Sequence, residues 1–255
     1  MPRIKYIGYA AAVVIVITAC SDSGEPATSG ETHAVAPPSI SAAAPESAAP
    51  PPAIADDAVQ RSQTREAYFG NFHIHTSYSF DGYANGSVTY PDDAYRWARG
   101  EAIPGGGDGS MLKILRPLDW YAVSDHAEFL GVFPKMADPD SPLSKLELAA
   151  RVTSDDQLVA FKAYAETLDN VSAGKVDPAL VDPEVVTTIW QEVVATADKH
   201  NEPGKFTTFP AYEWSSNPEK QNLHRVVVFK DSGGVPAIPF SSIDSDRPED
   251  LWQWM

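Results

Sequence analysis

The composition and charge of this chain exclude several classes of protein. Its 255 residues allow one or two domains, and 43% hydrophobic with 10% aromatic residues is enough for a buried core, which excludes a wholly disordered protein. The 19 basic and 35 acidic residues leave a formal net charge of −16, which is unsuited to sequence-independent binding of nucleic acid. The single cysteine excludes a disulfide scaffold and a cysteine-rich zinc module.

Residues 1–19 have the pattern of an export signal. Arg3 and Lys5 precede an apolar stretch over residues 7–17, which is too short to span a bilayer comfortably. The run from Ile17 to Cys20 resembles a bacterial lipobox, in which the cysteine becomes the lipidated first residue. An ordinary signal peptide with an incidental cysteine is the alternative. We therefore predict an exported bacterial lipoprotein at the periplasmic face of a membrane or the cell surface, held to the membrane only by acyl chains on Cys20.

Residues 20–65 are predicted to form a disordered tether. They contain seven prolines among many alanines and serines, and no Phe, Trp or Tyr. Such a composition cannot bury enough apolar surface to offset the conformational entropy of the chain. The folded domain is therefore predicted over residues 66–255.

Within that domain, predicted strands alternate with predicted helices. Residues 105–109 are predicted to form a glycine-rich loop. The helix predicted over residues 155–168 has Leu158, Phe161, Ala165 and Leu168 on one face. The alternation favours an α/β domain with a mainly parallel sheet or barrel. Strands are predicted over residues 68–75, 118–123, 206–214 and 223–229, and helices over residues 91–100, 143–152, 155–168 and 182–200.

The end of the sequence has the pattern of a helix start. Residues 245–250 combine an N-cap serine, a proline and acidic residues, and the chain ends about one turn later. Four predicted strands are also too few to close an α/β barrel. We therefore expect the chain to be the N-terminal portion of a longer protein.

Four of the six histidines fall at or beside predicted strands. His73 and His75 are two residues apart and project to the same side of an extended chain, a spacing suited to one divalent metal. His126 ends the second strand and His224 begins the fourth. The remaining two, His33 in the tether and His200 at a helix end near solvent, are predicted to have no role.

Three acidic residues accompany these histidines. Asp81 follows His75 by six residues, Asp125 precedes His126, and Glu213 ends the third predicted strand. Because the carboxyl ends of strands carry the active site in α/β folds, we expect several of these side chains to converge. The alternative, in which the histidines are ordinary core residues, does not account for four of them at such places.

The sequence around these residues resembles a known superfamily. The run from Phe72 to Thr76, with Ser79 and Asp81, resembles the first motif of the polymerase-and-histidinol-phosphatase (PHP) superfamily, and Val123 to His126 resembles its second. Residues 68–81, 203–206, 211–214 and 222–225 are together similar to a bacterial family of PHP-like proteins catalogued as domain of unknown function 3604. The resemblance covers residues 66–255. It implies a distorted (β/α)7 TIM-like barrel of PHP type, here incomplete at its C-terminus.

The resemblance also implies a metal centre. It implies two or three divalent ions (Zn, Mn or Fe), with His73 and His75 on one ion, Asp81 and His126 around a neighbouring one, Glu213 bridging, and His224 as a further ligand. The later ligands of the family, another histidine and an Asp-x-His, have no counterpart in this sequence.

The implied reaction is metal-dependent hydrolysis of a small-molecule phosphoester. Clustered divalent ions lower the pKa of a water and neutralise charge on phosphoryl oxygens. The catalytic residues are predicted to be Glu213, Asp125 as a partner outside the ligand shell, and Arg225 as a bidentate contact to phosphate. An amidohydrolase-like enzyme is one alternative, although no lysine ends a strand where a bridging carboxylated lysine would be needed (Lys230 is nearest). An inactive surface binding lipoprotein is the other.

Overall fold

The computed structural model describes residues 66–105 and 109–255. The predictions for the signal peptide, Cys20 and the tether lie outside these residues, as does the centre of the glycine-rich loop. Seven strands are described: β1 Gly70–Asn71, β2 Ile103–Pro104, β3 Met111–Leu112, β4 Trp120–Tyr121, β5 Thr207–Thr208, β6 Ala211–Ser216 and β7 Leu223–Val228.

In these described residues, seven α-helices and four short 3-10 helices accompany the strands. The α-helices are α1 Phe80–Ala84, α2 Pro91–Ala98, α3 Val132–Met136, α4 Glu147–Val152, α5 Gln157–Ser172, α6 Pro183–His200 and α7 Pro248–Trp254. The 3-10 helices are Pro142–Lys145, Pro178–Val181, Pro218–Lys220 and Ser232–Gly234.

The parallel part of the fold is a three-stranded sheet in the order β1-β4-β5. Its backbone hydrogen bonds continue beyond the short regular strands: Ser124 N donates to Ile74 O at 2.9 Å, and Glu213 N donates to Asp125 O at 2.9 Å. Helices α2 and α6 pack on one face of this sheet, around Tyr121 and Val123. The three segments therefore run in the same direction and present their carboxyl ends at one edge.

The strand that follows β6 departs from the predicted parallel arrangement. Strands β6 and β7 pair antiparallel over six residue pairs, from Ala211 opposite Val228 to Ser216 opposite Leu223. Only residues 217–222 connect them, and a parallel pair needs a crossover of a dozen or more residues. Strands β2 and β3 form a second antiparallel pair. The seven-unit barrel stays a prediction.

The predicted helices are confirmed with some changes. Helix α6 begins after Asp182, whose carboxylate accepts from Glu184 N at 2.9 Å, and the helix predicted over residues 143–152 is split by an extended residue, Leu146, into a 3-10 helix and α4. The face predicted for residues 155–168 is wrong, because Leu158 and Phe161 are 61% and 53% exposed. Helix α5 instead buries the small Ala163, which packs among α3 and α4.

His200 also differs from its prediction. It is buried, its Nε2 lies 2.8 Å from Asp92 Oδ1, and its ring stacks on Tyr95 with centroids 5.3 Å apart. It joins α6 to α2 and has a structural role. Within residues 66–105 and 109–255, no helix is both long and apolar enough to cross a membrane.

Candidate metal centre

The carboxyl ends of the parallel segments bring the predicted ligands together. His126 and Glu213 form a parallel bridge, and Ala127 N donates to Glu213 O at 2.8 Å. Strand β7 then returns beside β6, so that His224 lies directly opposite Ser215. The residues that meet at this edge are His73, His75, Asp81, His126, Glu213 and His224.

A bulge in the first segment aims His75 at this cluster. Ala122 N donates to Asn71 O at 3.0 Å, and Ser124 N donates to Ile74 O at 2.9 Å. Between these two hydrogen bonds the β4 segment advances by two residues and the β1 segment by three, so the β1 segment contains one extra residue. Such a bulge re-aims the side chains that follow it. It places His75 opposite Ser124, on the sheet face that carries His126.

Two side chains hold the bulge. Asn71 Oδ1 accepts from His73 N at 3.0 Å, and Ser124 Oγ accepts from Ile74 N at 3.1 Å. These bonds replace the regular pairing that the bulge interrupts. Simple alternation along a strand predicted that His73 and His75 project to the same side. Both side chains do lie against Glu213, but His73 is inside the bulge and does not follow regular alternation.

Glu213 is the centre of the cluster. Its side chain is 1% exposed and its two oxygens face four imidazoles. Oε1 lies 3.0 Å from His73 Nε2 and 3.4 Å from His224 Nδ1, while Oε2 lies 3.0 Å from His75 Nε2 and 3.1 Å from His126 Nδ1. Each carboxylate oxygen therefore meets two ring nitrogens.

Asp81 occupies the other side of His75 and His126. Its Oδ1 lies 3.0 Å from His75 Nδ1, and its Oδ2 lies 3.6 Å from His126 Nε2. The cluster thus divides into three overlapping groups that share members, each with ligand atoms within 4.8 Å of one another. The groups are His73, His75 and Glu213; His75, Asp81 and His126; and His126, Glu213 and His224.

These distances fit divalent cations. Neighbouring ligand atoms bound to one cation at about 2.0–2.2 Å in tetrahedral or octahedral geometry are about 2.8–3.6 Å apart, a range that includes the separations around Glu213 and Asp81. In addition, His75 Nε2 and Glu213 Oε2 are buried without a hydrogen bond of acceptable geometry. These two atoms lie 3.0 Å apart, and a cation bound to both would satisfy them.

The electrostatics of the cluster follow from its composition. Burial alone would raise the pKa of Glu213, but the imidazoles of His224, His75 and His126 hold it well below its usual range. Asp81 is likewise kept ionised against burial by His126 and His75, which hold its pKa far below normal. Burial opposes the charge on His75, yet Asp81 and Glu213 raise its pKa to about 10. A divalent cation would take the place of these protons.

Asp125 lies next to the cluster but is engaged elsewhere. Its Oδ1 accepts from Thr76 N at 2.5 Å and its Oδ2 accepts from Thr76 Oγ1 at 2.8 Å. Burial raises the pKa of Asp125 to about 6, against the effect of the Thr76 donors. Its position ties the segment after His75 to the end of β4, which fits the predicted place outside the ligand shell.

Two serines, Ser79 and Ser215, support the histidines, and neither was predicted to have this role. Ser79 is fully buried, its Oγ accepts from His126 N at 3.1 Å, and the same oxygen lies 3.2 Å from His75 Nδ1. Ser215 Oγ contacts His126 Nδ1. Ser79 belongs to the first motif, but serine alone carries no signal for such a role.

Glu128 is a further residue that the sequence did not single out. It is 4% exposed, and its Oε1 accepts from Ser242 N at 2.6 Å and Ser215 N at 3.3 Å. Its Oε2 is buried without a partner. Burial raises the pKa of this carboxyl, against the effect of its backbone donors. Since Ser215 contacts His126 and lies opposite His224, Glu128 supports that half of the cluster.

The structure does not bring Arg225 to the cluster. Arg225 pairs with Trp214, so both side chains lie on the face opposite to Glu213 and Ser215. The guanidinium is exposed and donates to the carbonyl of its neighbour His224 at 2.8 Å.

Comparison with known proteins gives one match. A family model described as "Protein of unknown function (DUF3604)" matches residues 62–255. No curated protein and no solved structure was found to match the chain.

Proposed function

Since the chain belongs to the DUF3604 family, whose function is unknown, we propose a function from the site itself: a hydrolase that uses two or three divalent cations to cleave phosphoesters. The observation that carries this proposal is the carboxylate of Glu213, buried among His73, His75, His126 and His224 at 3.0–3.4 Å. Removing the carboxylate of Glu213 and the imidazole of His126 from water is costly unless these groups bind partners or a cation. Cations bound at this site would interact favourably with the buried groups and so offset the cost of their burial.

The roles of the residues follow from their positions. Glu213 has one oxygen near His73 and His224 and the other near His75 and His126, so it would be a ligand shared by neighbouring cations. Asp81 and His126 would hold a second cation beside His75. Bound divalent cations would supply a water of lowered pKa and would neutralise charge on phosphoryl oxygens. Ser79 and Ser215 orient the imidazoles, as partners of ligating histidines commonly do.

We also propose that the domain has the PHP type of architecture. Two features support it: three parallel segments with α2 and α6 packed on one face, and ligands at the carboxyl ends of those segments. In α/β barrels this end carries the active site.

The amidohydrolase alternative is less well supported. It requires a buried lysine that is carboxylated and bridges two ions. None of the lysine side chains that the structure describes is buried, and Lys230 is exposed.

The decisive experiment is metal analysis of the full chain combined with a substrate screen. We expect at least two equivalents of divalent metal and hydrolysis of some phosphomonoesters or phosphodiesters that stops on chelation. Metal-free protein after exposure to Zn, Mn and Fe would reject the metal centre. Bound metal with cleavage of amides or carboxylic esters alone would reject the phosphoesterase.

We further propose that the protein is an exported lipoprotein, on the basis of the lipobox-like run that ends at Cys20. Replacing Cys20 by Ser should release the protein from the membrane fraction of a bacterial host. Unchanged association with membranes would contradict the proposal.

A further inference from the structure

A row of aromatic rings leads from the metal cluster to the surface. Phe80 stacks on the ring of His126, with centroids 4.4 Å apart and planes inclined by 16°. Tyr164 on α5 follows at 5.8 Å from Phe80, and Phe161 follows at 6.1 Å from Tyr164. We call Phe80, Tyr164 and Phe161 the aromatic wall. Its inner end touches a candidate ligand, and its outer end meets solvent.

The outer end of the wall is exposed in a way that its inner end is not. Phe161 is 53% exposed, and its neighbours on α5, Leu158 and Val159, are 61% and 39% exposed. Phe80 and Tyr164 are half-buried against the core formed by α3, α4 and α5. Helix α5 therefore exposes Leu158, Val159 and Phe161 and buries Ala163 instead, so the ring of Phe161 is not part of the described core.

Tyr164 links the wall to the charged part of the site. Burial and the nearby carboxylate of Asp81 raise the pKa of Tyr164 to about 12, so its hydroxyl stays protonated at neutral pH. The wall thus has a hydrogen-bond donor at Tyr164 and an exposed apolar ring beyond it at Phe161.

We propose that the aromatic wall binds a ring-bearing substituent of the substrate, so that the site prefers phosphoesters of aromatic or other planar groups to those of small alkyl groups. The inference rests on the proposed function, because the phosphoryl group must lie at the cluster for its substituent to reach Phe80 and Tyr164. An aromatic ring stacks favourably on other rings, whereas a short alkyl chain gains only the area that it buries.

The test uses two phosphonates with the same head group, which metal-loaded full-length protein can bind but not cleave at the C–P bond. Phenylphosphonate should bind roughly two- to tenfold more tightly than methylphosphonate, measured by titration calorimetry. Tyr164→Ala, which removes a ring of the inner part of the wall, should bring the ratio of the two affinities close to one. Tyr164→Phe, which keeps the ring, should keep the preference.

Phe69→Ala is the matched control. Phe69 is 68% exposed and precedes β1, at the amino end of the parallel segments, so its loss should leave the ratio unchanged. Metal content is measured for every variant, so that a lost cation is not mistaken for a lost ring contact.

Each other outcome has a distinct meaning. Equal affinities for the two phosphonates in the wild type overturn this inference and leave the proposed function standing. If metal binds but neither phosphonate does, the phosphoesterase proposal fails and the inference fails with it. A preference that survives Tyr164→Ala in metal-loaded protein overturns the inference, because the ring of Tyr164 would then not bind the substituent.

Discussion

The two faces of the β6–β7 pair share one backbone but carry side chains of opposite character. One face carries Glu213 and His224 of the cluster, together with Ser215, which contacts His126. The other carries Tyr212 and Trp214, both buried, with the ring of Tyr212 packed edge-on against Trp190 at 5.7 Å.

This difference shows what alternation does at a strand end. Successive side chains of a strand point to opposite faces, so Glu213 and Trp214 serve the site and the core although they are neighbours. On this strand pair, a residue directly beside Glu213 or His224 in sequence therefore points away from the cluster. Substitutions at the cluster and on the opposite face should accordingly have very different effects on metal binding.

Glu213→Gln should have the largest effect. Glutamine keeps the shape but removes the charge that faces four imidazoles, and a shared carboxylate stabilises two cations where His73 stabilises one. We expect bound metal to fall by more than one equivalent and hydrolysis to be lost, while circular dichroism shows an intact fold.

Glu202→Gln is the control for this variant. Glu202 is paired with Arg99 at 2.8 Å outside the cluster, so its replacement should leave metal content unchanged. Wild-type metal content and activity in Glu213→Gln would show that Glu213 does not bridge cations.

Glu128→Ala should have the next largest effect. It removes the acceptor for Ser215 N and Ser242 N, and each buried donor left unpaired costs about 1–3 kcal/mol. Because Ser215 contacts His126 and faces His224, we expect divalent metal to bind about 10- to 100-fold more weakly at that half of the cluster, the usual effect of losing an outer partner.

Glu128→Gln separates positioning from general stability. Its amide oxygen can accept from the same two N–H groups, so it should restore metal affinity where alanine does not. An alanine variant that is less stable to heat but binds metal normally would reduce Glu128 to a structural residue.

Asn71→Ala should have a moderate effect through the bulge. The variant loses the Oδ1 acceptor for His73 N, at a cost of about 1 kcal/mol in the free energy of unfolding. Metal affinity should fall a few-fold, because His73 and His75 are then held less firmly. Asn71→Asp keeps the acceptor and should retain affinity, and equal affinities for all three proteins would show that the bulge holds without this side chain.

Part of the site was readable from the sequence for a clear reason. His73, His75, His126 and Glu213 close predicted buried strands, and parallel strands bring their carboxyl ends together. The position of His224 was not readable in this way, since the start of a parallel strand would lie at the opposite edge. The short connection to an antiparallel β7 puts it beside Ser215.

The rest of the site and fold depended on tertiary geometry. The bulge at Phe72 and His73 is a feature of the backbone that no particular residue type marks in the sequence. The serines at positions 79 and 215 likewise carry no sequence signal for a role in a site. Helix α5 has an apolar stripe in its sequence, but close packing through Ala163 turned Leu158 and Phe161 outward. Periodicity identifies a helix and cannot say which neighbours it will meet.

Arg225→Ala should have the smallest effect, and it tests the division between the faces most directly. The sequence predicted a phosphate contact because Arg225 follows His224, and that role requires the Michaelis constant for phosphoesters to rise in the variant. The observed pairing with Trp214 places the guanidinium on the opposite face, exposed to solvent. We therefore expect metal content and Michaelis constant to match wild type, with stability changed by no more than about 0.5 kcal/mol. A rise of the Michaelis constant with unchanged metal content would mean that Arg225 reaches the substrate around the strand edge, and the separation of the faces would then not hold for long side chains.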